Sequence, residues 1–458
     1  MPELVKVHLL RGANRISDEL HDGQGFLPQH LALSNEFEVS LQSVDAAVAL
    51  PYWDFTRDYA NLARTTGARE ADLWAANGDL WRADVFGVMP GGAEGRIVDD
   101  LDRVPNVRED PAAFPFVAAG SAAGDWPVGA VNAFGYMRSP WNLNRSPAVS
   151  RARSFCGLER PLADWPTCAD HHSLTFGSPS LAGYLRGAGG HPHGSVHMMI
   201  GGVGGCEDAY ADLARAYGNA TAPQGKARGA RGAAAAPTPL VDDFILHIKD
   251  VLQVLWRFRA LDFPRTCDAE KPAGGCHAAC ATAPPAPDAP DDDADLAWWR
   301  RAVFENDKLT AFVPQLGVVP RGAQAAVARA VCGTEWAFGD HAGAESPLDP
   351  SFWPMHPTLD RLLQYKRLVS DFDDDSWSGG SLCKYGATSP CLGHREHDLT
   401  AFKSHVQGDG AFVLAYLTNR ELLNMTDPRS YAMTYIYDAF AWPHCADGVL
   451  PGLEDARR

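Results

Sequence analysis

The sequence lacks an uninterrupted apolar run of roughly 20 residues, the length that a transmembrane helix needs. We therefore predict no transmembrane segment. Its first residues also lack a basic stretch followed by a long apolar run, so they predict no secretory leader. Positive charge is scarce: 40 Lys and Arg stand against 57 Asp and Glu, a formal net charge of -17 at pH 7. Because such a chain repels phosphate backbones, nucleic acid is excluded as an expected partner.

No pair of the ten cysteines has Cys-x-x-Cys spacing, which argues against a zinc ribbon and against a thioredoxin-like redox site. The even number permits disulfides, and we expect Cys383, Cys391 and Cys445 to be disulfide-bonded or buried rather than metal-bound. Three Asn-x-Ser/Thr triplets are also compatible with secretion. Secretion or an organelle lumen is therefore slightly favoured as the location, although no signal peptide is visible.

Apolar residues make up 46% of the 458 residues, enough for a sizeable core. Apolar residues at helical spacing predict helices at 30–44, 240–261, 357–369 and 412–423, with Pro357 in the first turn of its helix. Strand signals are short and scattered. The sequence therefore predicts a mainly helical core with irregular connections and a few short strands near the C-terminus.

Two segments have almost no large apolar side chains. Residues 220–240 are rich in Ala, Gly and Pro, and residues 277–296 run through Ala, Pro and Asp. Both are typical of flexible surface segments.

His193 and His197 are four residues apart, so they lie on the same face of a helix and could reach one metal ion. The residue after His193 is Gly194, whereas the zinc-protease motif requires a glutamate there as general base. The alternative interpretation is a pair of solvated or capped histidines.

Further histidines stand beside residues that suit metal chemistry. His356 is expected to precede a helix, with Asp360 one turn later, where a carboxylate could orient a metal-bound imidazole. An ordinary helix start with an Asp360–Arg361 pair is the alternative. His21 and His30 are nine residues apart with a proline between them, so His21 would lie on a loop and His30 at a helix start. Either could instead be a polar residue at a turn.

The ordered motifs resemble the family of tyrosinases, catechol oxidases and haemocyanins, the type-3 copper proteins. The motifs that carry this resemblance are His21 and His30 around Phe26-Leu27-Pro28, the segment Pro51-Tyr52-Trp53-Asp54, Arg138-Ser139-Pro140-Trp141-Asn142, His193 and His197 before Ile200-Gly201-Gly202, and His356 in Asp349-Pro-Ser-Phe-Trp-Pro-Met-His356-Pro-Thr-Leu-Asp360-Arg361-Leu362.

The resemblance implies a mainly α fold with the type-3 copper four-helix-bundle core. It also implies two copper ions as cofactors, with Asp360 near the second. It assigns the copper ligands as His8, His21 and His30 for one ion and His193, His197 and His356 for the other. The implied activity is oxidation of o-diphenols to o-quinones by dioxygen, with monophenols as possible further substrates; the partners are then dioxygen and a small phenol or catechol.

The chain departs from the family pattern at several positions. His8 is only thirteen residues before His21, a short gap for the family, so the first ligand is either His8 or a residue of a segment that precedes this sequence. The residues flanking His30 are Gln29 and Leu31, and Glu19 stands where some relatives carry a thioether-forming cysteine. Gly194 replaces an asparagine, and no glutamate occurs between Glu159 and Glu207. The two missing groups are thought to deprotonate monophenols in tyrosinases, so we expect o-diphenol oxidation to dominate.

The spacing between His197 and His356 exceeds that of the family and indicates an insertion. The predicted organisation is a tyrosinase-like copper-binding domain at 1–205 and 346–445, an insertion at 206–345 and a C-terminal tail at 446–458. Three alternatives remain: a haemocyanin-like oxygen-binding protein, a catalytically degenerate relative, and a mononuclear zinc hydrolase, which Gly194 disfavours.

Overall fold

A computed structural model describes most of the chain. The described residues are 2–62, 80–82, 85–87, 103–109, 131–152, 154–221, 239–268, 270, 272, 274–287, 289–377, 391–407, 412–430, 432, 434–446 and 449–453. The greater part of the predicted flexible segment at 220–240 lies outside them, as does Cys383.

Helices dominate these residues. In chain order they are α1 Pro2–Gly12, α2 Phe26–Gln42, α3 Thr56–Leu62, α4 Cys168–Phe176, α5 Leu181–Gly189, α6 Gly194–Gly201, α7 Glu207–Thr221, α8 Pro239–Leu246, α9 Ile248–Arg257, α10 Ala294–Trp299, α11 Asp307–Phe312, α12 Pro314–Gly317, α13 Gln324–Gly333, α14 Phe352–Val369 and α15 Asn419–Met425. The strands are β1 Val203–Gly204, β2 Leu261–Asp262, β3 Ala279–Cys280, β4 Ala337–Phe338, β5 Ser404–Gln407 and β6 Phe412–Ala415. They form three antiparallel pairs, β1–β4, β2–β3 and β5–β6. The prediction of a mainly helical fold with few short strands is confirmed.

The chain divides into two compact units. The first comprises residues 1–102, 161–200 and 344–458, and the second comprises 103–160 and 201–343. The predicted insertion at 206–345 falls largely in the second unit, which also includes the earlier segment 103–160. The domain boundaries given above remain a prediction.

The first unit is built around four helices. Helix α2 packs against α14 and α5, and α4 packs against the same two helices. Leucine and aromatic side chains fill the space between them, including Leu27, Leu185 and Leu363, all fully buried. Local sequence sets where these helices start: Thr167 and Asp170 form a capping box before α4, and Ser180 caps α5. Two of these helices, α2 and α14, carry His30 and His356.

The Pro51-Tyr52-Trp53-Asp54 segment fastens the beginning of α14 in place. The Trp53 amide donates to the Pro354 carbonyl (2.8 Å), and the Thr358 hydroxyl donates to the Trp53 carbonyl (2.6 Å). Arg361 pairs with Asp54 (3.3 Å). In this chain the motif therefore positions a helix.

The second unit is held by three disulfides and a buried ion pair. The disulfides join Cys156 to Cys206, Cys267 to Cys276 and Cys280 to Cys332. Arg138, from the Arg-Ser-Pro-Trp-Asn segment, pairs with Asp340 (2.7 Å), and both side chains are fully buried. Its remaining N–H groups donate to carbonyls at 144, 146 and 148, so this motif also stabilises the fold.

The prediction of one continuous helix at 240–261 is wrong. The structure has two helices, α8 and α9, which meet at His247. The second ends at Arg257, shortly before Arg259 enters the left-handed region (φ 60°), and Leu261 then begins a strand. The apolar spacing of segment 240–261 correctly predicted the buried face of α9.

Two other helix predictions need correction. Residues 412–415 form β6, and α15 begins only at Asn419, where Thr418 and Glu421 form a capping box. Helix α14 begins at Phe352, so His356 lies within the helix and Pro357 is in its interior. No helix among the described residues has the length and apolar character to cross a membrane.

Candidate metal centre

The first histidine triad comes from three consecutive parts of the chain. His8 lies on α1, His21 on the loop that follows it, and His30 near the start of α2. The Nε2 atom of His8 is 3.2 Å from that of His30 and 3.1 Å from that of His21. The structure thus brings His8 to the other two, so that all three can offer nitrogen to one point.

The second triad joins residues far apart in sequence. His193 directly precedes α6, His197 lies on it, and His356 lies on α14. The Nε2 atom of His193 is 3.0 Å from that of His356 and 2.9 Å from that of His197. In each triad the candidate ligand atoms all lie within 4.8 Å of one another.

The two triads are neighbours. The rings of His30 and His356 stack with their centroids 4.8 Å apart and 24° between their planes, and the His30 and His193 centroids are 6.3 Å apart. All six histidines belong to the first unit. The arrangement therefore presents two adjacent three-nitrogen sites.

Backbone carbonyls determine which ring nitrogen carries the proton. The Nδ1 atoms of His30 and His356 each lie 2.8 Å from the carbonyl oxygen four residues earlier, of Phe26 and Phe352 respectively. His8 Nδ1 lies 2.6 Å from the Ala344 carbonyl oxygen. Because a carbonyl only accepts, each Nδ1 must carry the hydrogen, which leaves the Nε2 lone pair free to bind a metal.

His21 has a different anchor, since it lies on a loop. Its Nδ1 donates to the Asp18 carboxylate (2.9 Å), which is nearly fully buried and also accepts the backbone N–H groups of Leu20 and His21. A Cβ at Gly12 would lie 3.0 Å from His21 Cε1, closer than ordinary van der Waals contact, so a side chain there would press on this ring. Sequence reasoning missed Asp18, although a carboxylate three residues before a candidate ligand was a usable signal.

His394 also supports this loop and was not assigned to the site from sequence. Its Nε2 donates to the Asp18 carbonyl (2.7 Å), and its Nδ1 accepts from the Gly25 amide (3.2 Å). The buried ring therefore connects the two ends of the segment that carries His21.

The donor set fits metal ions. Burial lowers the pKa of His8 and His30 well below its ordinary value, with neighbouring histidines adding to the effect. These imidazoles are therefore neutral at pH 7, as metal ligands must be. Within each triad, nitrogens that cannot all donate to one another lie about 3 Å apart. Nitrogens bound tetrahedrally at about 2.0–2.1 Å lie roughly 3.3 Å apart, so an ion would satisfy their converging lone pairs.

Two phenylalanines separate the imidazoles from the surrounding protein. The Phe26 ring lies 4.5 Å from those of His30 and His193, and the Phe352 ring lies 4.2 Å from that of His356 and 5.2 Å from that of His8. Both residues belong to the sequence motifs described above, which gave them no role of their own. Their rings exclude water from the sides of the site, while their carbonyls orient His30 and His356.

The orienting contact assigned to Asp360 from sequence is made by the Phe352 carbonyl instead. The Asp360 carboxylate accepts hydrogen bonds from Tyr435, Tyr437 and Gln364. Its position one turn beyond His356 points it away from the Nδ1 atom that needed an acceptor.

Another His–Cys group is excluded as a thiolate metal site. His444 lies beside Cys168 and Cys445, but these two cysteines form a disulfide. The expectation for Cys445 is thus confirmed, and Cys391 is also disulfide-bonded.

Comparison with known proteins agrees with these observations. The family model described as the common central domain of tyrosinase matches residues 2–214. The match includes five of the six histidines, and His356 lies beyond it. No solved structure gives a significant match.

Curated relatives are similar to part of the chain. A protein named tyrosinase from Streptomyces glaucescens is 30% identical over 187 residues, which are 40% of this chain and 53% of that protein. One from Streptomyces antibioticus is 29% identical over 187 residues, 40% of this chain and 54% of the relative. Grixazone synthase from Streptomyces griseus subsp. griseus is 51% identical over 39 residues, 8% of this chain and 13% of that protein.

The chain spans about half the length of the tyrosinases that it matches. The family-model match includes the elements that form the first triad and α6. Residues 2–214 are thus similar to the central domain of tyrosinases, and five of the six histidines of the two triads lie within them.

Proposed function

We propose that the two triads hold a pair of copper ions and that the protein oxidises o-diphenols to o-quinones with dioxygen. The observation that carries this proposal is the pair of adjacent triads, each of which brings three imidazole nitrogens within 4.8 Å of one another. Imidazole suits copper in the oxidation states that such chemistry needs.

His8, His21 and His30 would hold one ion, and His193, His197 and His356 the other. When bound, the copper pair would supply the electron transfer by which two catechols and one dioxygen give two o-quinones and two waters. The chain contributes geometry. Asp18, Ala344, Phe26 and Phe352 keep the ligand rings oriented, and the Phe26 and Phe352 rings exclude water beside them.

We propose o-diphenols rather than monophenols as the principal substrates. Catechol oxidation removes two electrons and two protons and adds no oxygen to the ring. Hydroxylation of a monophenol requires a phenol of ordinary pKa near 10 to lose its proton first, which favours a nearby base. Gly194 carries no side chain, and Asp18 already accepts hydrogen bonds from His21.

We also propose that the protein folds in an oxidising compartment, either outside the cell or in an organelle lumen. The disulfides of both units, Cys168–Cys445 in the first and three in the second, support this location. Refolding yields with and without a thiol reductant would test it, with a large loss expected under reducing conditions.

Copper content and oxygen uptake test the activity. The chain reconstituted with copper should bind close to two ions and consume oxygen when catechol is added. His197→Asn should lose one ion and the uptake, whereas His397→Asn, at a side chain 81% exposed, should change neither. Reversible oxygen binding without catechol turnover would instead favour a haemocyanin-like carrier. One ion or fewer in the unmodified chain would favour a degenerate relative.

Rapid tyrosine hydroxylation without a catechol primer would contradict the proposed substrate preference. The assay compares the lag before oxygen uptake on a monophenol with the immediate uptake on the matching o-diphenol.

A further inference from the structure

The segment 434–446, which we call the strap, packs along α14 in the first unit. The Tyr435 and Tyr437 hydroxyls donate to the buried Asp360 carboxylate at 2.5 Å and 2.9 Å. On the next residue of the helix, the Arg361 guanidinium donates to the strap carbonyls at 439 and 441, each at 2.8 Å. Because a carboxylate and a guanidinium are unfavourable to bury without partners, these contacts couple the strap to the helix.

The strap reaches α14 beside the second histidine triad. The Tyr437 hydroxyl lies 2.9 Å from the carbonyl oxygen of Pro357, which directly follows His356. Further along the helix, the rings of Trp442 and Tyr365 pack with their centroids 4.7 Å apart. The strap therefore holds the part of α14 that carries a candidate metal ligand.

A disulfide fastens the end of the strap to another helix of the bundle. Cys445 is bonded to Cys168, the first residue of α4, across a sequence separation of 277 residues. The neighbouring His444 adds a contact with the Thr56 hydroxyl, 2.8 Å away. Because a covalent bond between segments so far apart in sequence removes much of the freedom of the opened chain, it favours the closed position of the strap.

This disulfide differs from the others in exposure. Among the disulfides whose two cysteines the structure describes, Cys168–Cys445 is the one in which both residues are partly exposed. Each of the three in the second unit includes at least one cysteine that is only 1% to 4% exposed. Since exchange with an external thiol requires access to the bond, reduction is favoured at Cys168–Cys445.

The surroundings of Cys168 stabilise the thiolate that exchange would produce. Cys168 begins α4, where the helix dipole favours negative charge. A ring nitrogen of His444 and both sulfur atoms lie within 4.8 Å of one another. The nearby acid Asp170 already accepts hydrogen bonds at the helix start and from His191 (3.2 Å). Cys168 is therefore the better leaving group, and Cys445 is the sulfur that a reductant attacks.

We propose that Cys168–Cys445 is a redox-sensitive switch that a dithiol opens to release the strap. One thiolate of the dithiol attacks Cys445 Sγ and displaces the Cys168 thiolate, and its second thiolate then displaces that of Cys445. The dithiol loses two electrons and becomes a disulfide, while its two protons pass to the cysteines. Without the disulfide the strap separates from α14, and Asp360 loses two of its hydrogen-bond donors.

Limited reduction of the full chain tests the selectivity of the switch without copper. The chain is incubated with dithiothreitol, samples are blocked with iodoacetamide, and peptide mass spectrometry follows the labelling of each cysteine. We expect Cys168 and Cys445 to be labelled together, at least about tenfold faster than the other described cysteines. Equal rates, or faster labelling at another disulfide, would overturn the proposal.

Hydrogen exchange tests the release of the strap. In Cys168→Ser/Cys445→Ser, amides of the strap and of α14 should exchange at least about tenfold faster than in the unmodified chain. Cys267→Ser/Cys276→Ser removes a disulfide with a sequence separation of 9 residues and is the matched control, in which these amides should not change. If the first variant does not fold, the selectively reduced and blocked chain takes its place. Unchanged exchange in the strap would refute its release.

The effect on copper rests on the proposed function and is measured separately. In competition with a chelator, copper-loaded Cys168→Ser/Cys445→Ser should release one of its two ions at about tenfold lower chelator activity, because His356 is held less firmly. The control variant should release both ions as the unmodified chain does. Equal affinities in all three chains would disprove the link between the strap and the second triad. An unmodified chain that binds no copper would instead contradict the proposed function, and labelling and exchange would still decide the switch.

Discussion

Replacing Asp18 by asparagine should weaken copper binding at the first triad alone. The Asp18 carboxylate is buried, and it holds the loop histidine of the triad by a 2.9 Å hydrogen bond to His21 Nδ1. Asparagine can still accept from Nδ1 and from the two backbone amides, so the change removes mainly the negative charge. Losing a group that orients a metal-bound imidazole typically costs 10–100-fold in metal affinity, about 1.4–2.7 kcal/mol.

Copper titration in competition with a chelator measures this effect. The unmodified chain should release its two ions over a narrow range of chelator concentration, whereas Asp18→Asn should release one ion at 10–100-fold lower chelator activity. Asp18→Ala should lose more, since it also removes the acceptor. Glu19→Gln removes one negative charge from the same loop, where Glu19 pairs with Arg11, and it controls for charge at a distance. Equal copper affinity in Asp18→Asn and Glu19→Gln would refute the argument.

Three further outcomes follow from the structure. Burial lowers the pKa of His171 to about 4. Below about pH 6.5 the unfolded chain therefore binds a proton that the folded chain does not, and the free energy of unfolding decreases as the pH decreases. His171→Leu should therefore recover about 2 kcal/mol at pH 5 relative to pH 7.5 in denaturant titrations, and an identical pH dependence would contradict this. Asp340→Asn leaves the Arg138 guanidinium buried without its counter-charge and should lower the free energy of unfolding by about 3–5 kcal/mol, whereas Asp212→Asn, at an exposed pair, should change it by less than about 0.5 kcal/mol. Phe352→Ala should cost about 3–5 kcal/mol and lower the copper content, which thermal unfolding and metal analysis would show; full copper occupancy would argue against its supporting role.

Sequence patterns singled out most of the histidines that form the two triads because those histidines stand in compact motifs. The i, i+4 spacing of His193 and His197 and the motif around His356 each carried information about one short segment. Their meeting depends on long-range packing of α6 against α14, which the resemblance supplied and periodicity could not. The role of His8 was uncertain from spacing, and the structure brings its ring to the other two.

The supporting groups were harder to predict. Ala344 acts through its carbonyl, which every residue has, so no side-chain pattern could identify it. Phe352 belongs to the sequence motif around His356, but its contact with four histidine rings depends on where α14 begins. Asp360 shows the opposite error, because correct spacing along a helix did not determine which way its carboxylate would point.

The predicted helix boundaries are wrong where apolar spacing continues but the backbone conformation does not remain helical. The segment 240–261 keeps a helical pattern past Arg257, although the left-handed residue Arg259 stops the helix. In 412–423 the first residues pair as β6 with β5, a long-range contact that their spacing does not reveal. Apolar spacing thus predicted which residues are buried better than it predicted the ends of the elements.

The dependence of His8 on the Ala344 carbonyl affects the order of events during synthesis. The first three histidines leave the ribosome early, but the acceptor that orients one of them is encoded more than 300 residues later, close to His356. At about 5–20 residues per second, the interval between His30 and His356 is roughly 20–60 s. Until residue 344 has been made, a nascent chain therefore carries His8 without the acceptor that orients it, whereas His21 and His30 have theirs nearby in sequence. We therefore expect the first triad to reach its final geometry only after Ala344 has been made, and the second only after His356, so copper supplied only during early elongation would arrive too soon.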